Sequence, residues 1–374
     1  MKKHAILSPS AAERWLHCTA SALIEAKEED RTTDYADEGT LAHAYCAKAL
    51  KELVGEDASS EDEEIEKLAK WHSAEMDEAV EYYVDIVTQK LANSKNGRLL
   101  VERRVEIAGI ADNVELYGTS DAIILSDDAL EVIDFKYGKG VKVSAVENPQ
   151  MMIYALGARL EYGTDYNFDT ARMTIVQPRI DNFSEYEMSD HDLCAWLFNV
   201  LAPKARTAMS GGYMSCGDWC RFCRVRGKCS TLAAEAKEAA ERDIRLMSLE
   251  EIGKAMQRVA MIEGWCKALK EYALDQAMGG AEIPGWKIVA GRSVRKILNE
   301  DKAAAALMLE GYAKGDIYRP DSLKTITDLE KLCGKSNFAK IVGDWIVKPQ
   351  GSPTLAPADD ARKALDIVND LRDF

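Results

Sequence analysis

The order of elements along this sequence predicts an α/β fold with a mixed central sheet flanked by helices. Two helices come first, antiparallel strands follow, and a helix, a strand and another helix complete the pattern. The clearest strand signal is a hairpin over residues 114–135, where two apolar, β-prone segments flank Ser126-Asp127-Asp128. The clearest helix signal is Asn148-Pro149, because Asn favours the cap and Pro favours the first helical position.

The other elements follow from apolar periodicity and from helix start and stop signals. The predicted helices cover residues 8–27, 40–53, 63–92, 189–209 and 231–280, with an acidic linker at 55–64. The predicted strands outside the hairpin cover residues 99–107, 172–177 and 286–290. We divide the chain into a main domain, residues 1–235, and a helical linker with a small α/β appendage, residues 236–374.

The composition describes a soluble globular protein. Hydrophobic residues make up 47% and charged residues 30% of the 374 positions, and no apolar run is long enough to span a bilayer. The apolar stretch that follows the first residues is too short for a signal peptide. We therefore expect a cytoplasmic protein with reduced thiols. A net charge of −15 argues against a broad surface that coats nucleic acid, but it leaves room for a local basic groove.

The hairpin places two carboxylates close together. If Asp127 and Asp128 form a two-residue turn, residue i pairs with residue 255 − i, and Asp121 then lies opposite Asp134. Like charges at such positions repel each other, and a divalent cation is the usual reason for them. Lys136 shares the sheet face of Asp134, so the three side chains could hold a hard metal and orient a water for phosphodiester cleavage. The alternative is a solvated rim at the strand ends.

The cysteines suggest a second metal site. Cys220, Cys223 and Cys229 form the pattern C-x2-C-x5-C, which in a reduced compartment is typical of metal ligands. We favour Cys18, at the end of the first predicted helix, as the fourth ligand, with Cys216 as its rival. Zinc and a 4Fe-4S cluster both accept four cysteines, and the spacing does not separate them. Either would tie residue 18 to the 220s and so stabilise the fold.

Taken together, an ordered set of motifs resembles RecB-like nucleases of the PD-(D/E)XK superfamily. The similarity is to the iron-sulfur subgroup, which includes the AddB nuclease domain and CRISPR-adaptation nucleases. It covers about residues 8–232, and the whole chain also looks like a phage and prophage family built on this nuclease. The motifs are Gly39-Thr40-Leu41-Ala42-His43, Asp121, Asp134-Phe135-Lys136, Gln150-Met151-Met152-Ile153-Tyr154, and Cys18 with Cys220, Cys223 and Cys229.

The resemblance implies a restriction-endonuclease-like core with a metal-dependent active site. His43, Asp121 and Asp134, together with the main-chain carbonyl of Phe135, would bind Mg²⁺ or Mn²⁺. Lys136 would position or deprotonate the attacking water and steady the charge that develops on the phosphate.

The resemblance also implies supporting groups. Gln150 and Tyr154 would contact DNA or support the site, and the four cysteines would hold a 4Fe-4S cluster, with zinc as the alternative. Glu38 could be a further metal ligand, but we favour a solvated acid at a helix start.

We therefore expect a metal-dependent deoxyribonuclease, an exonuclease rather than an endonuclease, that resects DNA ends for phage recombination in the bacterial host. Its partners would be DNA and a phage single-strand annealing protein, and an oligomer is compatible with this role. The alternatives are a DNA-end-binding or assembly module without physiological cleavage, and an interaction protein with a zinc staple.

Overall fold

The computed structural model describes residues 5–28, 34–110, 114, 116–166, 168–240, 248–319, 322–349 and 351–365. The chain forms two compact units, Met1–Gly264 and Trp265–Phe374, whereas the sequence prediction divided it at residue 235. The observed boundary lies inside one continuous helix, Leu249–Met278. Helical periodicity does not change along such a helix, so the sequence carries no local signal for the boundary.

The first unit contains helices on both sides of a central sheet. Its α-helices are Ala12–His17 (α1), Ser21–Glu25 (α2), Asp34–Val54 (α3), Ser59–Leu68 (α4), Ala74–Asn93 (α5), Pro149–Tyr162 (α6), Asp190–Trp196 (α7), Ala202–Met209 (α8) and Ser230–Ala240 (α9), followed by α10, Leu249–Met278. Its shorter elements are the 3-10 helices Pro9–Ala11, Ala69–Trp71, Pro178–Ile180, Asp218–Phe222 and Arg226–Lys228 and the π-helical segment Leu197–Leu201.

The central sheet has five strands in chain order. They are Arg98–Glu106 (β1), Tyr117–Leu125 (β2), Ala129–Phe135 (β3), Thr170–Gln177 (β4) and Asn182–Ser189 (β5). Strands β3 and β4 are parallel and are connected through α6, and the other neighbours are antiparallel. The predicted mixed α/β architecture is therefore confirmed, with a mostly antiparallel sheet.

Both faces of this sheet are covered by apolar side chains. On β3 every residue is buried, as expected for a central strand between two helical layers. Leu130 and Val132 pack into a core with α1, α6, α7 and α8, whereas Ile133 and Phe135 pack into a second core with α3 and α5. The alternation of β3 residues between the two cores fixes which side chains lie near α6 and which lie near α3.

Two predicted helices are interrupted, and part of a predicted linker is helical. The predicted helix 8–27 is wrong as one element, because α1 ends at His17 and α2 begins at Ser21. The predicted helix 63–92 is broken before α5, where the Ser73 side chain accepts a hydrogen bond from Met76 N at 3.2 Å and caps a new helix. Part of the predicted linker is helical, since α4 begins at Ser59.

The strand β5 is absent from the sequence prediction. Its side chains alternate between partly buried and exposed positions, so its apolar content is too low to stand out. At its end, the Ser189 side chain accepts a hydrogen bond from Asp192 N at 3.0 Å and caps α7. The predicted helix 189–209 corresponds to α7, the π-helical segment and α8 in succession.

The second unit is a small α/β unit with its own apolar core. Its elements after α10 are Trp286–Gly291 (β6), Lys296–Ile297 (β7), Glu300–Leu309 (α11), Lys314–Ile317 (α12), Tyr318–Arg319 (β8), Ser322–Leu323 (β9), Ile326–Cys333 (α13), Lys335–Val342 (α14), the 3-10 helix Gly343–Trp345, Ile346–Val347 (β10) and Gly351–Pro357 (β11). The predicted strand 286–290 is β6, which pairs with β11. Leu307, Leu329 and Phe338 are among its buried residues. Within the described ranges of the chain, no helix is long and apolar enough to cross a membrane.

Candidate metal centre

The register of the β2–β3 hairpin agrees with the prediction. The pairs run from Leu125↔Leu130 to Ala122↔Ile133, so each residue i faces residue 255 − i. The paired ladder ends one step before Asp121 and Asp134. At that step Asp121 Oδ2 accepts a hydrogen bond from Phe135 N at 2.7 Å. The protein backbone therefore holds one Asp121 oxygen in place beside the end of β3.

His43 approaches Asp121 from α3. Its Nδ1 lies 3.2 Å from Asp121 Oδ1, and its ring meets the Phe135 ring edge-on at a centroid distance of 5.3 Å. Burial alone would lower the pKa of His43, but the carboxylates of Asp121 and Asp134 raise it to about 9. Burial alone would raise the pKa of Asp121, but His43 and Lys136 hold it below its ordinary value.

Glu102 is a site residue that the sequence analysis missed. Ligand atoms of His43, Glu102 and Asp121 all lie within 4.8 Å of one another, and the described part of the chain contains no other such group of three. Burial raises the pKa of Glu102 to about 7, and Asp121 adds to this shift. In sequence, Glu102 is one acid in a charged strand. A correct alignment of β1 with β2 would have found it, because that alignment sets it opposite Asp121.

Asp134 and Lys136 form the adjoining half of the site. Asp134 is 3% exposed, and Lys136 Nζ lies 2.8 Å from its Oδ2 without an aligned hydrogen bond. Burial raises the pKa of Asp134, although Lys136 opposes that shift. Burial would lower the pKa of Lys136, but Asp134 and Asp121 raise it above its ordinary value. Lys136 is therefore an ammonium ion beside a buried carboxylate.

Gln150 and Tyr154 lie behind these charges, on α6. Gln150 Nε2 donates to Asp134 Oδ1 at 3.2 Å, and Gln150 Oε1 accepts from Lys136 Nζ at 3.1 Å. The Tyr154 hydroxyl lies 3.3 Å from Gln150 Nε2, and its side chain is buried. As predicted, Asn148 caps α6, since its Oδ1 accepts hydrogen bonds from the backbone N–H groups of the first turn. The cap lies two residues before Gln150, at the start of the helix that carries it.

Glu38 does not belong to the cluster of metal-ligating groups. Its Oε1 pairs with Arg179 Nη1 at 3.3 Å, and Arg179 also donates to Glu75 at 2.8 Å. The ion pair accounts for Glu38 without a metal, although the acid is paired with Arg179 and is not the solvated helix-start residue that we favoured.

The cysteine segment lies against the N-terminal helices. Ser215 N donates to Cys18 Sγ at 3.4 Å, and Cys220 Sγ lies 4.0 Å from Ser215 O. Cys18 and Cys220, about two hundred positions apart, thus meet at the same serine. Of the other two, Cys223 follows the 3-10 helix Asp218–Phe222 and Cys229 precedes α9.

Three thiols of this segment have a raised pKa. Burial raises the pKa of Cys223 to about 12 and that of Cys216 to about 11, and it also raises the pKa of Cys220. Cys220 and Cys229 contribute electrostatically to the raised pKa of Cys216. Cys18 and Cys229 contribute in the same way to the raised pKa of Cys220. Cys18 and Cys216 both remain candidates for the fourth ligand.

The fold and the site define a mixed α/β protein with a partly buried histidine–carboxylate cluster beside an Asp–Lys–Gln group. The chain belongs to the family described as "Protein of unknown function (DUF2800)", whose model matches residues 4–363.

Two solved structures are similar to the chain at low identity. One is a crystal structure of a "Putative exonuclease" from Eubacterium rectale, with 12% identity, a TM-score of 0.36, and coverage of 66% of this chain and 92% of the other. The second is the crystal structure of SSO0001, with 15% identity, a TM-score of 0.28, and coverage of 57% and 92%. At these scores neither similarity bears on activity, so the function must be judged from the site.

Proposed function

We propose that this protein is a metal-dependent DNA nuclease with a PD-(D/E)XK core of the RecB-like type. The observation that carries the proposal is the convergence of His43, Asp121, Asp134 and Lys136, from α3, β2 and the end of β3, within one partly buried site. Two carboxylates, an imidazole and an ammonium with perturbed pKa values in one partly buried site are typical of a functional site.

The donor set of this site fits a divalent cation. His43 Nδ1 and Asp121 Oδ1 lie 3.2 Å apart, and the buried Asp134 carboxylate adjoins them, with its Oδ2 2.8 Å from Lys136 Nζ. Carboxylate oxygens suit Mg²⁺ and Mn²⁺, and imidazole also suits transition metals. The Phe135 carbonyl, next to Asp134 in the chain, would be a further ligand, as the resemblance implies. When bound, the cation would polarise the phosphodiester and lower the pKa of an attacking water.

Lys136 has a defined task in this proposal. Since Asp134 raises its pKa, Lys136 stays protonated and acts as a hydrogen-bond donor rather than as a base. Asp134 and Gln150 hold its Nζ at 2.8 and 3.1 Å. A fixed ammonium next to the metal ligands is suited to orient water and to stabilise the negative charge that develops on the phosphate. Cleavage by in-line attack would leave a 5′-phosphate, as the resemblance implies.

The contacts of Gln150 and Tyr154 favour a role for α6 in positioning Lys136 and Asp134. Tyr154 is buried, so it supports Gln150 instead of contacting DNA. A local basic surface for DNA would lie at the loop after Lys136, which carries Lys142 and whose Gly140 carbonyl accepts a hydrogen bond from Arg221 at 3.4 Å. Lys139 of the same loop is paired with Glu75 at 2.6 Å. DNA as substrate is compatible with the net charge of −15 only if such a basic surface is local.

We also propose that Cys18, Cys220, Cys223 and Cys229 hold a 4Fe-4S cluster. The choice of this cluster over zinc rests on the family resemblance, because the C-x2-C-x5-C spacing accepts either. The exonuclease mode, phage recombination, the annealing partner and the bacterial cytoplasm are further parts of the proposal that rest on the family resemblance.

The test is degradation of end-labelled linear and circular DNA with Mn²⁺ or Mg²⁺. We expect Asp134→Ala and Lys136→Ala to lower the cleavage rate by roughly 10³-fold or more, because each removes a charge at the reacting phosphate. Asp128→Ala, in the turn of the same hairpin, is the matched control and should cleave normally. Resistance of circular DNA would support the exonuclease mode.

Unchanged degradation by the Asp134 and Lys136 variants would contradict the nuclease proposal. A wild-type protein that binds DNA ends but cleaves none of them would favour the end-binding module instead.

A further inference from the structure

We propose that Glu102 is an additional metal ligand, which completes a three-residue cation site with His43 and Asp121. This inference rests on the proposed function, because it concerns the cation that the nuclease would use. It adds a residue from β1, an element that contributes nothing to the motifs found in the sequence.

The sheet brings Glu102 to the site. Strands β1 and β2 pair antiparallel, with Val101↔Ala122 on one side and Arg103↔Ser120 on the other. Glu102 therefore faces Asp121 across the ladder. The ligand atoms of Glu102, Asp121 and His43 lie within 4.8 Å of one another, a spread that a single cation with metal–oxygen distances of about 2.1–2.5 Å can bridge.

The backbone of β1 is bent at this residue. Glu102 has φ 48°, a left-handed conformation that a residue other than glycine adopts inside a strand only at a cost in free energy. Regular alternation would put Val101 and Val105 on the same face, but Val101 packs into the core with α3 and α5, and Val105 packs into the core with α6. The strand thus changes face around Glu102.

The negative charge of the Glu102 carboxylate is not neutralised by a direct partner among the described residues. No hydrogen bond or ion pair to it comes from the described residues, and the Asp121 carboxylate beside it repels it. The nearest imidazole nitrogen, His43 Nδ1, lies 3.2 Å from the other acid, Asp121. A divalent cation would satisfy both carboxylates at once, which gives a reason for an acid at this bent position.

The test is Mn²⁺ binding to the full-length protein without DNA, measured by the loss of free Mn²⁺ signal in electron paramagnetic resonance. We expect Glu102→Gln and Glu102→Gly to weaken binding by about tenfold or more, since each removes a charged ligand. Glu102→Gly is informative because glycine readily adopts φ 48°. This variant should therefore fold even if Glu102→Gln does not. Glu106→Gln, at an exposed position of the same strand, is the matched control and should bind normally.

The outcomes separate this inference from the proposed function. Weaker binding in both Glu102 variants with normal thermal melting supports Glu102 as a ligand, and if Glu102→Gln fails to fold, Glu102→Gly decides. Wild-type affinity in a folded Glu102 variant overturns the inference while leaving the metal-dependent nuclease intact. A wild-type protein that binds no Mn²⁺ overturns both.

Discussion

The carboxylate site on β2 and β3 and the cysteine segment at residues 216–229 differ in what holds their ligand groups. Asp121 and Asp134 lie on central strands, and Phe135 N and Gln150 Nε2 donate hydrogen bonds to them at 2.7 and 3.2 Å. The cysteine segment contains two short 3-10 helices, Asp218–Phe222 and Arg226–Lys228, and no strand. The side chains of the first site are therefore held in place by the protein itself, whereas we expect the second segment to gain order from the proposed cluster.

Protein contacts nevertheless hold the cysteine segment against the N-terminal helices. Glu25 accepts hydrogen bonds from Arg224 N and from Arg14 Nε, both at 2.7 Å, and Thr19 Oγ1 accepts one from Tyr213 N at 2.9 Å. These contacts bring Cys18 near the 220s without a metal. The comparison predicts that changes at the carboxylate site alter activity, while changes at the cysteines alter stability.

Asp121→Asn should have the largest effect on activity and little effect on stability. Asparagine can still accept the hydrogen bond from Phe135 N, but the charge for the cation is lost, so we expect cleavage to fall by roughly 10³-fold or more. The melting temperature should fall only slightly, because the lost attraction of Asp121 to His43 and Lys136 is partly offset by relief of its repulsion with Glu102. Kinetics and thermal melting of the same samples measure both effects, and a strongly destabilised variant would contradict the preformed site.

Cys220→Ser should have the largest effect on stability. If the four cysteines hold a cluster, its loss opens a loop of about two hundred residues, which we expect to cost roughly 3–5 kcal/mol of unfolding free energy. Iron content, visible absorption and urea unfolding under anaerobic conditions measure the change. Cys194→Ser, on α7, is the control and should keep its iron. Cys18→Ser and Cys216→Ser, compared in the same assay, identify the fourth ligand.

Gln150→Ala should have an intermediate effect on activity. It removes the side chain that joins Lys136 to Asp134, so we expect a decrease in cleavage of about 10- to 100-fold with Mn²⁺ affinity reduced less. Tyr154→Phe removes one hydroxyl behind Gln150 and should cost less than tenfold. A larger loss in Tyr154→Phe than in Gln150→Ala would place Tyr154, not Gln150, at the reacting groups.

Asn148→Ala should have the smallest effect. It removes the cap of α6 and should lower the unfolding free energy by about 1 kcal/mol, with activity largely retained because the α6 core contacts persist. Chemical denaturation measures the loss. Equal stability of this variant and the wild type would show that burial of α6, rather than its cap, fixes the position of Gln150.

Much of the carboxylate site could be predicted because its parts interact locally. A two-residue turn and the alternation of apolar residues set the register of Asp121 and Asp134, and Asn148-Pro149 sets the start of α6. His43 was named through a family resemblance, since nothing in its own helix indicates a partner on β2. The interruption at Cys18–Ala20 was missed, because the apolar pattern on both sides is compatible with one helix.

The sequence by itself determined the hairpin register, the cap of α6 and the spacing of the three clustered cysteines, because each depends on residues close together in the chain. Only the tertiary structure decided that Glu102 joins His43 and Asp121, that Tyr154 is buried behind Gln150, and that β5 completes the sheet. Those features depend on contacts between distant segments. Their physical cause is the burial of both sheet faces, which brings α3, β1 and α6 to the same end of the hairpin.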